Sequence, residues 1–249
     1  MNFEEVKIFR DKISKRFNQP AELTNYLCHF SKENNFIYVE TPKVACTTIK
    51  RVLQQAETKG NMTYESPGDV HKRELSPLLA PSDDFNSFFK ALDDEKIFKF
   101  CFVRNPFTRA LSCYLDKMVK VEFERKRLAP KLDLDGNSVP SFYEFLCAIN
   151  EQNESERDIH WASQSYLLRP EKICYSFIGR FEFFIDQFNL VAKKLKVENF
   201  WDSSSSWHAT NASSLVERYF DERNIELICK IYEKDFLSFG YGWSSEIVN

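Results

Sequence analysis

The stretch FIYVETPKVACTTIKRVL, residues 36–53, decides the fold prediction because it joins an apolar strand to a helix through a short turn. The turn carries Lys43, and the helix opens with the hydroxyl residues Thr47 and Thr48. A loop that leads directly into a helix presents free backbone N–H groups to an anion, and the helix dipole adds to them. The stretch has no glycine and does not match the GxxxxGK[ST] loop of nucleoside triphosphatases. It favours an anion-binding loop, with a plain strand–turn–helix bearing a surface lysine as the alternative.

Composition describes a globular chain. The 249 residues are 43% hydrophobic and 15% aromatic, which is enough to bury a full core. The formal net charge of −3 argues against a general nucleic-acid binder, which would carry a basic excess. The seven cysteines are odd in number and form no CxxC pair, so we expect reduced thiols and no metal cluster. No run of 18 apolar residues occurs, so we expect a soluble protein without an integral membrane segment.

Strands that alternate with helices predict an α/β protein with a parallel sheet. The predicted strands are NFIYV (35–39), IFKFCFVR (97–104) and ICYSFIG (173–179). We expect one domain over 1–249, with 1–33 as an N-terminal helical extension and 120–172 as a helical insertion on the acceptor side. Helices are predicted at 3–17, 46–57, 84–93, 105–127, 141–150, 182–195 and 214–238.

A second candidate anion site follows the strand at 97–104. Arg104 ends that strand, and Ser112 lies about two turns into the next helix, on the side where that helix starts. An arginine makes forked contacts with phosphate oxygens, and a serine hydroxyl completes the set. A structural arginine and a core-facing serine are the alternative. Because ligands bind at the carboxyl ends of parallel strands, the two loops together suggest a nucleotide with 5′ and 3′ phosphates.

The chain resembles the carbohydrate sulfotransferases that use 3′-phosphoadenosine 5′-phosphosulfate (PAPS), in the group of the chondroitin, dermatan and HNK-1 sulfotransferases. The similar stretches occur in the family's order and span residues 41–241. The first two correspond to the family's 5′-phosphosulfate and 3′-phosphate loops, and the other three are supportive. They are TPKVACTTIKRVL (41–53), FVRNPFTRALSCYLDK (102–117), IHW (159–161), YSFIGRFE (175–182) and IYEKDFLSFGY (231–241).

The resemblance implies a P-loop-like, three-layer α/β fold with a central, mainly parallel sheet flanked by helices, which binds PAPS without a metal. It places Lys43 at the bridging and sulfonate oxygens, with Arg104 and Ser112 at the 3′-phosphate. Arg180 follows the third strand and would touch the nucleotide or the acceptor, or form a buried ion pair with Glu182. The remaining implied cofactor contacts are Val44, Ala45, Cys46, Thr47 and Thr48 at the 5′-phosphate, and Thr210 and Asn211 in a covering loop.

A general base is the other group that sulfuryl transfer needs, and the chain has four histidines. The resemblance makes His71, in GDVHKREL, the first choice, with an exposed loop histidine as the alternative. His160, in DIHW, would position the acceptor or pack against Trp161. His208 would contribute to the covering loop, and His29 is expected to be structural.

The expected function is therefore transfer of a sulfuryl group from PAPS to a hydroxyl of a sugar or glycan-like acceptor. The alternatives are a P-loop-like small-molecule kinase and a non-catalytic 3′,5′-ADP-binding protein. The basic run at 117–131 is expected to be a solvated helix face, with an anionic acceptor surface as the alternative. The family's membrane anchor and paired cysteines are missing, so we expect a cytoplasmic enzyme, and a Golgi location only for a longer chain.

Overall fold

The structure, a computed structural model, describes residues 3–202 and 216–243. The predictions for His208, Thr210 and Asn211 therefore lie outside the described residues. The described chain falls into two compact units. The first holds the residues up to Val103 and those from Leu168 to 202, and the second holds 104–167 and 216–243.

One four-stranded sheet lies in the first unit. Its strands are β1 (Cys28–Ser31), β2 (Phe36–Val39), β3 (Phe98–Val103) and β4 (Phe177–Arg180), in the order β1-β2-β3-β4. The pairs β2–β3 and β3–β4 are parallel, whereas β1 runs antiparallel to β2. The α/β class is confirmed, but the sheet is small and mixed rather than mainly parallel.

Strand β1 lies inside the range 1–33 that was predicted to be helical, and that part of the prediction was wrong. All four of its residues are buried, and Cys28 pairs with Val39 of β2. Four residues, of which His29 and Ser31 are polar, are too few to distinguish a strand from a buried helical turn by periodicity. The partner strand supplies the hydrogen bonds that select the extended form.

Five of the seven predicted helices occur close to their predicted bounds, whereas the helices Ala21–Leu27 and Gln164–Leu168 were not predicted individually. The helix expected at 105–127 is interrupted by a π-helical segment at Leu115–Lys120, and the helix expected at 214–238 is three separate helices. In chain order they are α1 (Phe3–Phe17), α2 (Ala21–Leu27), α3 (Cys46–Glu57), α4 (Phe85–Asp93), α5 (Pro106–Tyr114), α6 (Glu122–Leu128), α7 (Phe142–Glu151), α8 (Gln164–Leu168), α9 (Phe184–Leu195), α10 (Val216–Tyr219), α11 (Glu222–Ile231) and α12 (Glu233–Phe239). Within the described residues, none of them is long and apolar enough to cross a bilayer.

Aromatic side chains form much of the core of the first unit. The ring of Phe102 in β3 packs against Phe177 of β4 and against Phe184 and Phe188 of α9, with centroids 5.1–6.0 Å apart. Gly179 of β4 lies under the same ring, where a Cβ atom would come within 2.3 Å of it. The sheet and α9 are therefore joined at a point that has no space for a further methyl group.

In the second unit, Trp161 is fully buried beside the ring of Phe145. Its carbonyl accepts a hydrogen bond of 3.0 Å from the hydroxyl of Tyr232. Most cations of the run 117–131 contact protein groups, and the prediction of a solvated helix face holds for only part of the run, because Arg125 is buried. Lys117 and Arg127 pair with Glu124, Lys126 with Glu122 and Lys131 with Asp158, and buried Arg125 donates to backbone carbonyls.

Candidate functional site

The loop between β2 and α3 adopts left-handed backbone conformations without glycine. Lys43 has φ = 70° and Ala45 has φ = 54°, while Val44 between them is fully buried. Each such conformation costs about 1–3 kcal/mol and persists only where the surrounding structure enforces it. Because such strain clusters at functional sites, the loop that sequence analysis selected is a candidate binding element.

The N-terminus of α3 is open to an anion. Ala45 occupies the N-cap position, and no side chain among the described residues caps the helix there. The first N–H groups of a helix have no intrahelical acceptor, and they carry the positive end of the helix dipole. A turn with left-handed residues also directs successive N–H groups into a concave anion-binding nest. The loop at 43–48 therefore has the donor chemistry of a phosphate-type or sulfate-type site.

His71 is docked against α3 instead of being an exposed loop residue. It ends the short turn Asp69–His71, in which the Asp69 carboxylate accepts hydrogen bonds from the backbone N–H groups of Glu65 and Ser66. Gln54 of α3 donates to the carbonyl of Val70 at 3.2 Å, and Val70 is buried. His71 itself is half-buried, which disfavours the exposed alternative.

Two of the predicted site residues meet at the imidazole of His71. Its Nε2 lies 2.9 Å from Oγ1 of Thr47, a residue expected at the 5′-phosphate. Its Nδ1 lies 2.8 Å from Nζ of Lys50, one helical turn further along α3. Both ring nitrogens are thus engaged by α3, and the Nε2 side faces the loop.

A buried chain of charged groups lies behind His71. Oε2 of Glu40 is 2.6 Å from Nζ of Lys50 and 2.8 Å from Nε2 of His29. The guanidinium of Arg73 contacts the other ring nitrogen of His29. The side chains of Glu40, His29 and Lys50 are only 1–2% exposed, so they are withdrawn from solvent. Lys50 and Arg73 are the cations of this group of side chains, and Glu40 is its carboxylate.

The pKa values of His29 and Glu40 are both lowered, and at neutral pH this preserves the hydrogen bond between them. Burial lowers the pKa of His29 to about 4, against the raising effect of Glu40, so the ring is neutral near pH 7. Burial would raise the pKa of Glu40, but the hydrogen bond from His29 and the charge of Lys50 outweigh it and lower this pKa to about 2. Glu40 is therefore a carboxylate at neutral pH.

Glu40, Cys46 and His71 could in principle ligate a metal, since their donor atoms lie within 4.8 Å of one another. The ammonium of Lys50 already lies against two of these three groups. Burial also raises the pKa of the Cys46 thiol to about 11, which disfavours the thiolate that a metal requires. The local charges fit a lysine better than a metal ion at this position.

Arg104 is positioned by a hydrogen-bonded frame inside the second unit. The side-chain amide of Gln164 accepts from the N–H of Arg104 at 2.8 Å and donates to its carbonyl at 2.7 Å. The buried carboxyl of Asp235 accepts in turn from the N–H groups of Gln164 and Ser165. Nε of Arg104 donates to Thr108 Oγ1 at 3.1 Å. The predicted Ser112 lies in α5 and is 2% exposed.

Helix α5 differs from α3 in being capped, as the sequence indicated. Asn105 is its N-cap and accepts from the N–H of Phe107 at 2.9 Å, and Pro106 is its first residue. The helix N–H groups are therefore partly satisfied from within. An anion at this strand end would be held mainly by side chains such as Arg104.

His160 is a second oriented histidine. Its Nδ1 lies 2.6 Å from Oδ1 of Asp158, whose other oxygen receives Lys131 at 2.6 Å. Burial would raise the pKa of Asp158, but these hydrogen bonds outweigh it and hold the pKa well below its usual range. The Asp158 carboxylate therefore fixes which nitrogen of His160 carries a proton.

The remaining predicted residue, Arg180, ends β4, and its N–H donates to Oε1 of Gln187 at 2.5 Å. Arg180 is half-buried and Glu182 is exposed, which disfavours a fully buried ion pair between them.

Sequence reasoning missed Glu40 and Gln164. Glu40 had a usable signal, because a charged residue directly after an apolar strand lies at its carboxyl end. Gln164 had no local signal.

Comparison with known proteins identifies the family to which this chain belongs. A profile of the Sulfotransferase family matches residues 28–242. This range covers most of the chain, the candidate loop and the Arg104 frame, so the chain belongs to the Sulfotransferase family.

Its relatives are carbohydrate sulfotransferases. Carbohydrate sulfotransferase 12 of Mus musculus is 29% identical over 246 residues, which cover 82% of this chain and 57% of the relative. Carbohydrate sulfotransferase 9 of Homo sapiens is 26% identical and covers 96% of this chain and 59% of the relative. Carbohydrate sulfotransferase 10 of Gallus gallus is 27% identical, and the match covers 84% of this chain and 64% of the relative. The chain spans about three fifths of the length of the first relatives. No solved structure matches.

Proposed function

We propose that this protein transfers a sulfuryl group from PAPS to a hydroxyl of a sugar or glycan acceptor. Membership of the Sulfotransferase family and the printed names of its relatives support this activity. The observation that carries the proposal to this chain is the uncapped N-terminus of α3, with strained Lys43 and Ala45 before it. This element supplies N–H groups that can donate to an anion, and its sequence lacks the GxxxxGK[ST] motif of nucleoside triphosphatases.

Lys43 and the start of α3 would hold the 5′ end of the donor. PAPS supplies an activated sulfuryl group whose departure leaves negative charge on a phosphate oxygen. A lysine ammonium and helix N–H groups stabilise such charge electrostatically, which is the main catalytic term in transfers of this kind. We assign these contacts to Lys43, to the hydroxyls of Thr47 and Thr48, and to the N–H groups of 44–48.

His71 is the proposed general base, with Nε2 as the nitrogen that faces the loop. We assign the 3′-phosphate to Arg104 and Ser112, and a nucleotide or acceptor contact to Arg180. His160, held by Asp158, is proposed to position the acceptor. We further propose that the transfer requires no metal, because Lys50 already supplies a cation beside Glu40 and His71.

Two other functions remain as outcomes of the test. A small-molecule kinase would need a glycine-rich loop and a carboxylate for magnesium at its phosphates. A non-catalytic protein would bind 3′,5′-ADP without turnover. The cytoplasmic location is likewise a proposal, which cell fractionation would test.

The deciding experiment measures thermal stabilisation by 3′,5′-ADP against stabilisation by ATP with magnesium. A ligand at ~100 times its Kd adds about 2.7 kcal/mol to the stability of the native state. We expect stabilisation by 3′,5′-ADP without metal, and its loss in the variant Arg104→Ala. Stabilisation by ATP–magnesium alone would contradict the proposal and favour the kinase.

Turnover is then tested with labelled PAPS and a panel of sugar acceptors. We expect the variants Lys43→Ala and His71→Ala to lose transfer by at least ~100-fold. The variant His71→Ala should still bind 3′,5′-ADP. Binding by the wild-type protein with no transfer to any acceptor would favour the non-catalytic alternative.

A further inference from the structure

Lys50 is a buried lysine whose ammonium has polar contacts with Glu40 and His71 and lies over the ring of Tyr26. Its Nζ lies 2.6 Å from the carboxylate of Glu40 and 2.8 Å from Nδ1 of His71, and its residue exposure is 1%. An ammonium group has three N–H donors and no acceptor. Beside a carboxylate the lysine is an ammonium, so Nδ1 of His71 must accept the hydrogen bond from it. A neutral imidazole then carries its single N–H on Nε2, where it donates to Oγ1 of Thr47.

We propose that Lys50, held in place by Glu40, is a positioning residue that assigns the N–H of His71 to Nε2 and stores the proton that His71 exchanges during transfer. The proposal rests on the proposed function and deepens it. It concerns the atoms of the first unit, and its primary test does not require activity. In the resting arrangement Nε2 of His71 donates to Thr47, so the hydroxyl proton of Thr47 is left for an acceptor such as a bound anion.

The proton balance follows from the two hydrogen bonds of the imidazole. Before Nε2 can accept a proton, the Lys50–His71 pair must release one proton to solvent, which leaves the N–H on Nδ1 facing a Lys50 amine. In the transfer step, the acceptor hydroxyl proton moves to Nε2 and the Nδ1 proton moves to Nζ of Lys50. The sulfur–oxygen bond to the donor phosphate breaks as the bond to the acceptor oxygen forms. The resting arrangement is thereby restored.

Charged and titratable groups of the first unit surround this pair. Neutral His29 lies behind Glu40 and adds no charge near pH 7. The groups that face the pair are Thr47 and Cys46 on α3, Glu40 after β2, His29 on β1 and the ring of Tyr26 on α2, whose centroid is 5.8 Å from Nζ of Lys50. Arg73 contacts His29, and the charge of Lys43 acts on Cys46.

The first test is an NMR experiment on protein labelled with ¹⁵N in the histidine rings. The chain has only four histidines, so the variant His71→Gln assigns the signals of His71. We expect wild-type His71 to show its N–H on Nε2 and a non-protonated Nδ1. In the variant Lys50→Met we expect a mixture of tautomers, since the ammonium that donates to Nδ1 is removed. A wild-type N–H on Nδ1, or an identical pattern in Lys50→Met, would overturn the proposal.

Two further variants separate this effect from a loss of folding. Lys99→Met is the matched control, because Lys99 is also buried, at 3% exposure, but donates to the carbonyl of Asp94. It should leave the His71 pattern unchanged. Lys50→Gln keeps an N–H donor for Nδ1 without a titrating group, so we expect the Nε2 tautomer to be retained. If Lys50→Met does not fold, Lys50→Leu takes its place, and a wild-type N–H on Nδ1 would still overturn the proposal.

The second test is the pH dependence of the single-turnover transfer rate. We expect the midpoint of the acid limb to fall by at least about one pH unit in Lys50→Met, because His71 then loses its proton without the lysine. Lys99→Met should keep the wild-type midpoint. An unchanged midpoint in Lys50→Met would contradict the proton-storage part. If the wild-type protein neither binds 3′,5′-ADP nor transfers, the proposed function fails, and the histidine spectrum still tests the role of Lys50.

Discussion

Gln164 illustrates at the residue scale how a neutral side chain can hold a charged one. Its amide satisfies both the N–H and the carbonyl of Arg104, and its own N–H is held by Asp235. These backbone groups are buried, so removal of the amide would leave two polar groups without a partner from this side chain. The backbone of Arg104, from which its guanidinium extends, is therefore held by a residue 60 positions away in sequence.

We predict that Gln164→Leu weakens binding of 3′,5′-ADP by at least ~10-fold. A buried polar group without a hydrogen-bond partner costs about 1–3 kcal/mol, and about 1.4 kcal/mol corresponds to a tenfold change in affinity. Isothermal titration calorimetry measures the effect. Gln152→Leu is the control, because Gln152 also bonds a buried side chain of the second unit, the indole of Trp161. Equal affinity in the Gln164 and Gln152 variants would refute the role of the frame.

At the element scale, β4 places a glycine, Gly179, directly against the ring of Phe102 in β3. A Cβ atom on Gly179 would lie 2.3 Å from the ring of Phe102. That ring is held by Phe184 and Phe188 of α9, so it has little room to move away. The glycine is required here by close approach and not by an unusual backbone angle.

We predict that Gly179→Ala lowers the free energy of unfolding by about 1–3 kcal/mol, the usual cost of overpacking a core. Urea denaturation of the purified protein measures it. Gly68→Ala is the matched control, because the nearest atom to a Cβ at Gly68 is 3.9 Å away. A Gly179 variant as stable as the Gly68 variant would mean that β4 can shift away from β3.

At the scale of the whole molecule, two buried side chains behind the loop, His29 and Glu40, make the free energy of unfolding depend on pH. Native His29 has its pKa lowered to about 4 by burial, against 6.5 for the ordinary group. Between these values the unfolded chain binds a proton that the native protein does not, so stability rises with pH. Glu40, with its pKa lowered to about 2 from 4.5, adds a further loss of stability at lower pH.

We predict that the free energy of unfolding falls by on the order of 3 kcal/mol between pH 7 and pH 4 because of His29, at 1.36 kcal/mol per pKa unit. Chemical denaturation at several pH values in this window measures it. His29→Gln should flatten this dependence, whereas His160→Gln should retain it. A dependence that survives His29→Gln would show that another group carries it.

Local sequence determined the elements that begin the site. The apolar run before Glu40, the open helix start at Cys46 and the Asn105-Pro106 cap were all readable, because strand and helix signals involve neighbouring residues. The motif stretches likewise predicted the family that the profile comparison confirms. The lengths of long helices were overestimated, since periodicity does not reveal where a π-helical segment such as Leu115–Lys120 interrupts a helix, and the short strand β1 was missed.

The tertiary structure alone decided which side chains share hydrogen bonds. His71 reaches Thr47 and Lys50 across 24 and 21 positions, and Gln164 reaches Arg104 across 60. Such contacts depend on how strands, helices and turns pack, which no local pattern encodes. Burial then decided the charges, because a group such as Glu40 acquires its pKa from its partners and its distance from water.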